Sequence, residues 1–423
     1  MVRERIIWQL FGKRLISYTQ LDNGEVVGDG FLNPLIDRFH LLTMLITQTK
    51  FYNNYNLGKW RGKRVANTFS PPIGGAPMFR AIKNVIRGKI LRHVRPIAMT
   101  FAVTYKCQCN CAHCSAGRHK KAKTPELSTK EAKRVIDESQ KLGISILAFT
   151  GGEPLLREDI FELISYVNQK KTVPIIFTNG LLLTKDNVDK LANAGLYSLF
   201  VSIDSPLPEE HNKLRGVVGL FETAIEGIKR AKEKGIFVGI SSYATNSSTK
   251  EGKYKKIHEL AKELGLHNVM LFDGIPTGKI LKDTSELLTP EQREEIREYS
   301  AFINKNKIIP PLSSQSWQNS IESYLAGIGC LAAYIQYYVS AYGEVTPCDF
   351  TPLSFGNIRD MPLKQIWKLM IHHPAYNHRV TPCRMQNARF RHFYIDPIPD
   401  NTTLPYDITQ LPRVDYRKEK ISN

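Results

Sequence analysis

Between Pro96 and about residue 310, short apolar runs alternate with amphipathic segments of helical period. The apolar runs predict six β-strands, at residues 97–104, 144–150, 174–178, 199–204, 236–241 and 268–272. The intervening segments predict helices at residues 128–142, 157–170, 185–194, 220–234 and 253–264, and one more starting at Thr289. Six consecutive strand–helix units predict an α/β fold with a parallel sheet, here a partial (β/α)6 TIM-like barrel that is open on one side.

The carboxyl end of every predicted strand is polar or rich in glycine. These ends are residues 107–114, Gly151–Pro154, Thr178–Gly180, Ser202–Ser205, Ser242 and Gly274–Gly278. Because parallel α/β folds place their sites at the carboxyl ends of the strands, the sequence predicts a functional site formed by these segments.

Residues 1–96 form a basic N-terminal extension without a clear strand-rich module. Short apolar segments lie at residues 6–11 and 31–46, and residues 56–77 are typical of a loop. Residues 79–94 predict an amphipathic helix with apolar positions at 79, 82, 86, 90 and 94 and mostly basic positions elsewhere. Such a helix either packs on the next domain or lies on an anionic membrane surface, and nucleic acid is a third, less favoured partner.

The chain has 423 residues and a net charge of +18, and no Asp or Glu lies between Asp37 and Glu126. A region that contains basic but no acidic residues favours an anionic partner, although a solvated basic face is the more ordinary interpretation. No window reaches the roughly 18 apolar residues of a membrane-spanning helix, and the first residues do not resemble a secretory signal. We therefore expect a cytoplasmic protein, with peripheral membrane association as the alternative.

Four of the seven cysteines lie within eight residues, at Cys107, Cys109, Cys111 and Cys114. Thiols this close can hold an iron–sulfur cluster, and three ligands on a four-iron cluster would leave one iron open. A zinc site is less favoured because its ligands usually form two separated pairs. Disulfides are not expected in a chain without a secretory signal and with an odd number of cysteines.

Three motifs together resemble those of the radical S-adenosylmethionine superfamily across residues 97–280. They are Cys107-x3-Cys111-x2-Cys114, Gly151-Gly152-Glu153-Pro154 and Ser202-Ile203-Asp204. The resemblance implies that the three cysteines bind a [4Fe–4S] cluster whose open iron is chelated by the methionine part of S-adenosylmethionine. It also implies that reductive cleavage gives a 5′-deoxyadenosyl radical, which takes a hydrogen atom from the substrate.

The resemblance further implies roles for individual residues. Gly151 and Gly152 would expose backbone to the cofactor's ammonium group, and Glu153 would bring negative charge near it. Hydroxyl groups of the ribose would bind Ser202 and Asp204, and the adenine would lie against His113 and the segment around Pro276. The remaining expected cofactor contacts are Thr178, Asn179 and Arg215.

Two of these interpretations have alternatives. We expect Arg215 to pair with the methionine carboxylate; the alternative is a surface ion pair with Glu209 or Glu210. Cys109 has no counterpart in the family motif, and we interpret it as a bystander.

After Pro311 the strand–helix alternation ends, which predicts a small α+β domain at residues 311–393 and an extended tail at residues 394–423. Cys330, Gly343-x4-Cys348 and the later Gly356-Asn357-Ile358 resemble a SPASM/Twitch extension. This resemblance implies an auxiliary iron–sulfur cluster held by Cys330, Cys348 and Cys383; a degenerate domain without a cluster is the alternative. The fourth ligand stays open between the substrate, Cys109 and one of the histidines at positions 372, 373, 378 and 392.

We therefore expect a radical enzyme with an electron donor such as ferredoxin or flavodoxin. A membrane lipid or another anionic, membrane-associated molecule is the first expectation for the substrate, based on the basic helix, the acid-free region and the apolar N-terminal segments. A ribosomally made peptide and a nucleic acid are the alternatives, and the last rests on charge alone.

Overall fold

The computed structural model describes residues 3–10, 13–20, 26–28, 55–90, 94–119, 124–318, 329–380 and 382–419. The strands are β1 Arg3–Leu10, β2 Lys13–Gln20, β3 Val26–Gly28, β4 Gly58–Trp60, β5 Lys63–Val65, β6 Ala98–Thr104, β7 Ile146–Gly151, β8 Val173–Thr178, β9 Ser198–Ser202, β10 Phe237–Ala244, β11 Asn268–Asp273, β12 Leu312–Ser314, β13 Gln336–Val339, β14 Val345–Thr346, β15 Leu353–Ser354 and β16 Tyr406–Asp407. The helices are α1 Ala76–Ile90, α2 Thr129–Leu142, α3 Ile160–Tyr166, α4 Lys185–Asn193, α5 Pro208–Arg215, α6 Leu220–Glu233, α7 Asn246–Lys250, α8 Lys253–Glu263, α9 Pro290–Lys305, α10 Gln315–Gln318, α11 Leu363–His372 and α12 Ala388–Tyr394.

The central sheet confirms the predicted α/β barrel and is longer than predicted. Strands β6 to β11 are the six predicted strands, and each pairs in parallel with the next. Strand β12 extends the sheet beyond β11, so the barrel sheet continues past residue 310. On the other side β13 pairs in parallel with β6, and β14 follows it antiparallel. These added strands are only two to four residues long, too short for their periodicity to be recognised in the sequence.

Local signals in the sequence account for the ends of several helices. At α2, the Ser128 hydroxyl accepts a hydrogen bond from the Glu131 N–H, and the Glu131 carboxylate accepts one from the Ser128 N–H. This is the predicted capping box, and Gly143 ends the helix with a φ of +131°. The sequence analysis does not predict helix α5, although Pro208 lies in its first turn, where proline is favoured.

The amino-terminal end of the barrel is closed by residues 55–81, where the sequence predicts mostly loop. Val65 and Phe69 join an apolar layer inside the barrel together with residues such as Ile146 and Phe200. The hydroxyl of Tyr197 donates a hydrogen bond to the carbonyl of Ser70 at 2.9 Å. This segment therefore covers the amino-terminal end of the barrel, and residues such as Phe69 and Met78 line the cavity there.

The first half of the basic helix packs on the barrel, and its buried face differs from the predicted one. Ala81 is buried in the same apolar layer, and Asn84 Nδ2 donates to the Gly143 carbonyl at 2.6 Å. Arg80 Nε donates to the Ile144 carbonyl at 3.2 Å. Phe79, predicted to lie on the apolar face, is 61% exposed. For its first half, the helix therefore packs on the next domain, the first of the alternatives given for it above. Among the described residues, no helix has the length and apolar character of a membrane span.

The N-terminal extension contains a strand-rich unit that the sequence analysis did not anticipate. Strands β1, β2 and β3 form an antiparallel sheet in that order. The apolar segment predicted at residues 31–46 lies outside the described residues.

The prediction of an extended tail is wrong for residues 394–419. Leu404 is fully buried and Tyr416 nearly so, and both belong to the main core. Strand β16 pairs in parallel with β15, and the Tyr406 N–H donates to the Pro352 carbonyl at 2.7 Å. The apolar residues that pack here are widely spaced and separated by polar ones. They therefore form no periodic pattern that could be recognised in the sequence.

Candidate active site at the strand ends

The cysteine loop, residues 107–114, follows β6 and is held by the carboxyl end of helix α5. The N–H groups of Asn110 and Ala112 donate to the carbonyls of Arg215 and Leu214, at 3.0 and 3.1 Å. Cys111 is buried, and the other three thiols of the loop are half-buried. All four are free thiols, so the arrangement leaves their sulfur atoms available as ligands.

The Cys109 thiol lies within hydrogen-bond reach of both Cys107 and Cys111, and its interpretation as a bystander of the cluster stays a prediction. Hydrogen bonds of its thiol to the sulfur atoms of Cys107 and Cys111 raise the pKa of Cys109 well above its usual range. The same hydrogen bonds lower the pKa of Cys107 and of Cys111 to about 6. Burial raises the pKa of Cys114. Two cysteines of the predicted triad are therefore biased toward the thiolate form, which is the form that binds iron.

Gly151 and Gly152 allow the end of β7 to contact the backbone that leads into the cysteine loop. A Cβ atom on Gly151 would lie 2.0 Å from the Thr104 carbonyl oxygen, and one on Gly152 would lie 2.3 Å from that of Lys106. The N–H groups of Gly152 and Glu153 donate to these same two carbonyls, at 2.7 and 2.8 Å. The glycines therefore bring two strand ends together, a role that the sequence analysis did not assign.

Glu153 is fully buried and joins the ends of β7 and β8. Its carboxylate accepts hydrogen bonds from the Thr178 hydroxyl and the Asn179 N–H, both at 2.8 Å, and from the Leu155 N–H at 3.1 Å. Burial outweighs these bonds and raises the pKa of Glu153 to about 7. Asn179 in turn donates through Nδ2 to Gln108 Oε1 at 3.3 Å, which links β8 to the cysteine loop. The expected charge of Glu153 near the cofactor's ammonium group stays a prediction.

Asp204 and Arg215 form a charged pair beside the cysteine loop, and His113 lies against it; Asp204 is buried and the other two residues are half-buried. Arg215 contacts Asp204 Oδ2 at 2.7 Å, and His113 Nε2 lies 3.3 Å from the same oxygen. Although burial opposes ionisation, Arg215 and His113 hold the pKa of Asp204 well below its usual range. The alternative of a surface ion pair for Arg215 is therefore wrong.

Arg215 forms its ion pair with Asp204 and not with Glu209 or Glu210, the two partners considered in the sequence analysis. Glu210 pairs with Lys253 instead, and a buried aspartate from the neighbouring strand end takes the place beside Arg215. Ser202 lies half-buried at the end of β9, next to Ser241 of β10 in the sheet register.

Two residues of the site have no counterpart in the sequence predictions. The Tyr243 ring stacks on the His113 ring, with centroids 4.9 Å apart and an angle of 10°. Lys279 donates through Nζ to the Cys111 carbonyl at 2.9 Å. Tyr243 directly follows Ser242, the predicted polar end of this strand, and that position was the only available signal for it. Lys279 directly follows the predicted Gly274–Gly278 segment, in which Pro276 is buried.

These residues fit an iron–sulfur cluster better than a zinc ion. Zinc requires its ligands about 2.0–2.3 Å from one point. Among the residues that the structure describes, no three Cys, His, Asp or Glu side chains are arranged to hold a single metal ion. In a four-iron cluster each thiolate binds a different iron, so the ligands need not converge so closely. The thiol-rich loop and the close approach that the two glycines permit both suit the larger group.

The three cysteines of the C-terminal domain, which we call the C-terminal cysteine triad, come together as expected. Cys330, Cys348 and Cys383 line one cavity of about 260 Å³. Burial and then the nearby Cys330 raise the pKa of Cys348 to about 12, and burial with both neighbouring thiols raises that of Cys383 well above its usual range. Interior residues of the barrel such as Thr100 line the same cavity, so the triad faces the barrel interior.

None of the four histidines offered as a fourth ligand lines this cavity. Asp349 does line it, and Oδ1 of Asp349 has no hydrogen-bond partner among the described residues. Burial raises the pKa of Asp349 to about 6. The position next to Cys348 is the only sequence signal for this carboxyl group.

The geometry defines a class of enzyme, and sequence comparison agrees with it. The profile of the Radical SAM superfamily matches residues 101–246, and that of the SPASM iron–sulfur cluster-binding domain matches residues 330–386. The chain belongs to the radical S-adenosylmethionine superfamily and carries a SPASM domain. Membership implies a [4Fe–4S] cluster and S-adenosylmethionine, and the SPASM domain implies auxiliary iron–sulfur clusters.

Among its relatives is the AdoMet-dependent heme synthase of Methanosarcina barkeri, 33% identical over 64% of this chain and 82% of the relative. The mycofactocin maturase MftC of Mycobacterium tuberculosis is 25% identical over 64% of this chain and 70% of the relative. Among solved structures, Streptococcus suis SuiB bound to S-adenosylmethionine shares the fold, with a TM-score of 0.52 and 18% identity over 69% of this chain and 68% of that one.

Proposed function

We propose that Cys107, Cys111 and Cys114 hold the catalytic cluster and that S-adenosylmethionine lies beside it on the polar strand ends. One observation carries the proposal: the cysteine loop and the chain leading into it form hydrogen bonds with each neighbouring part of the expected cofactor site. Lys106 accepts from Glu153, Asn110 donates to Arg215, and Cys114 accepts from Lys279. When bound, these groups supply a 5′-deoxyadenosyl radical, which removes a hydrogen atom from a carbon of the substrate.

The charged group beside the loop is arranged for the cofactor's polar ends. His113 and Arg215 both contact Oδ2 of Asp204, so we assign Oδ1 to a ribose hydroxyl. Arg215 stays cationic because Asp204 compensates for its burial, and it can bind a carboxylate through its remaining donor atoms.

For the substrate, we propose a tetrapyrrole that carries carboxylate side chains. The relative named as a heme synthase supports this class, since heme is a tetrapyrrole with such side chains. The net charge of +18 and the acid-free stretch between Asp37 and Glu126 also favour an anionic substrate. The membrane lipid expected from the basic helix has no support, because that helix packs on the barrel through Arg80 and Asn84.

A peptide substrate is the second candidate, and one specific observation favours it. The antiparallel sheet of β1 to β3 has two edge strands, and an exposed edge can bind an extended peptide as a further strand. The relative named as a maturase supports the same class.

The test uses anaerobically reconstituted enzyme with S-adenosylmethionine and a chemical reductant. An iron porphyrin with propionate side chains is the first probe, and a short peptide encoded beside the gene is the second. We expect 5′-deoxyadenosine and a change in the porphyrin mass that both disappear in Cys111→Ala, whereas Cys109→Ser should keep the activity. Deoxyadenosine formation by Cys111→Ala would contradict the assignment of the site. A mass change only in the peptide would replace the first substrate class with the second.

A further inference from the structure

The segment Gly278–Lys279 lies directly on the cysteine loop. The Lys279 N–H donates to the Cys114 carbonyl at 3.1 Å. Gly278 has a φ of +56°, and a Cβ atom there would lie 2.3 Å from the carbonyl oxygens of both Cys114 and Ser115. Only glycine allows this approach, so the chain after β11 is fitted to the end of the loop that carries Cys114.

The Lys279 side chain then crosses to the other part of the loop. Its stem lies against Gly117, where an added Cβ atom would be 2.4 Å from Lys279 Cγ. Its Nζ donates to Asn110 Oδ1 at 2.6 Å and to the Cys111 carbonyl at 2.9 Å. One residue therefore binds the loop at Cys114 through its backbone and at Cys111 through its ammonium group.

We propose that Lys279 is a positioning residue that fixes the shape of the cysteine loop and places a positive charge beside the cluster that the loop holds. The hydrogen bonds and the stem restrict the distance between Cys111 and Cys114. The positive charge of Lys279 matters because thiolate ligands make the cluster site negative. A nearby cation therefore stabilises that site.

The charge of Lys279 is not already compensated by a carboxylate. No ion pair joins Lys279 to an Asp or Glu of the described residues, and its hydrogen-bond acceptors are an amide and a carbonyl. Asp204, a buried carboxylate near the loop, is paired with Arg215. Since reduction adds negative charge to a cluster, an uncompensated ammonium group favours the reduced form and raises the reduction potential.

The test compares Lys279→Met, which keeps the stem and removes the charge, with Lys279→Arg, which keeps the charge. Lys282→Met is the matched control, since Lys282 is three residues away and pairs with Asp400. The full-length reconstituted protein is used without substrate, and the cluster is identified as the one whose EPR signal responds to S-adenosylmethionine. The readouts are iron retained under a chelator and the midpoint potential of that signal.

We expect Lys279→Met to lose iron roughly tenfold faster, as is usual when a partner of a metal ligand is removed. We expect its potential to fall by up to about 59 mV, a tenfold change for a one-electron couple. Lys279→Arg should restore most of both properties, and Lys282→Met should match the parent protein.

An unchanged potential and an unchanged rate of iron loss in Lys279→Met would overturn the proposal, as would equal effects in Lys282→Met. Asn110→Ala provides a second test of the same contact, and it should accelerate iron loss without removing the charge. Circular dichroism of each variant establishes that it is folded. Because no substrate is involved, these results are independent of which substrate class is correct.

Discussion

Replacing Gly152 with alanine should separate the end of β7 from the chain that enters the cysteine loop. The added Cβ atom would lie 2.3 Å from the Lys106 carbonyl oxygen, whereas an ordinary contact begins at 3.4 Å. The backbone must therefore open by 1.1 Å, the difference between these two distances. Since the hydrogen bonds from Gly152 and Glu153 to this chain are 2.7 and 2.8 Å long, such a shift would break both of them.

The cost can be estimated from these contacts. Overpacking of a rigid contact costs about 1–3 kcal/mol, and each lost hydrogen bond costs about 1 kcal/mol. Together they give a loss of roughly 3–5 kcal/mol in the free energy of unfolding. At about 1 °C per kcal/mol for a chain of 423 residues, the thermal midpoint should fall by roughly 3–5 °C. Differential scanning calorimetry measures the midpoint, and iron analysis after reconstitution should show reduced cluster content.

Substitutions at two other glycines distinguish backbone strain from steric contact as the cause of the lost stability. Gly235 has a φ of +74° and no atom within 4 Å of an added Cβ, so Gly235→Ala introduces backbone strain alone. Its expected cost is about 1–2 kcal/mol. Gly151→Ala combines a φ of +139° with a contact of 2.0 Å and should be the most damaging of the three. If Gly152→Ala were no less stable than Gly235→Ala, the contact between β7 and the loop would not have the importance that we give it.

Three further outcomes follow from the same structure. Asp204→Asn leaves the Arg215 guanidinium buried without its charged partner, so urea unfolding should show a loss of about 3–5 kcal/mol in the free energy of unfolding. Calorimetric titration should also show weaker binding of S-adenosylmethionine. Unchanged stability would contradict the pairing. Replacing the C-terminal cysteine triad with alanine should reduce the iron content to that of one cluster, and equal iron in both proteins would exclude an auxiliary cluster there. Arg359 lowers the pKa of Glu131 to about 2, so this contact should stabilise the fold above about pH 4.5 and lose its effect as the pH falls toward 2. Acid unfolding of Arg359→Ala, compared with the parent protein, should lack that contribution, and identical curves would contradict it.

Much of the barrel and the main motifs could be predicted because they depend on local patterns. The alternation of apolar residues specified strands β6 to β11, and Ser128 with Glu131 specified the start of α2. The short strands β12 to β16 could not be predicted, since two to four residues carry too little periodicity and their pairing partners are distant in sequence. For the same reason residues 55–81 resembled a loop although they close the barrel.

By itself, the sequence determined the class of this protein: the spacing of Cys107, Cys111 and Cys114 after an apolar strand, with polar motifs at later strand ends, requires only local order in the chain. The tertiary structure alone decided which groups meet at that site. It paired Arg215 with Asp204 rather than with a nearby glutamate, and it placed Lys279 across the cysteine loop. These contacts join residues on different strand ends, and their distances follow from the curvature and register of the sheet, which no local pattern encodes.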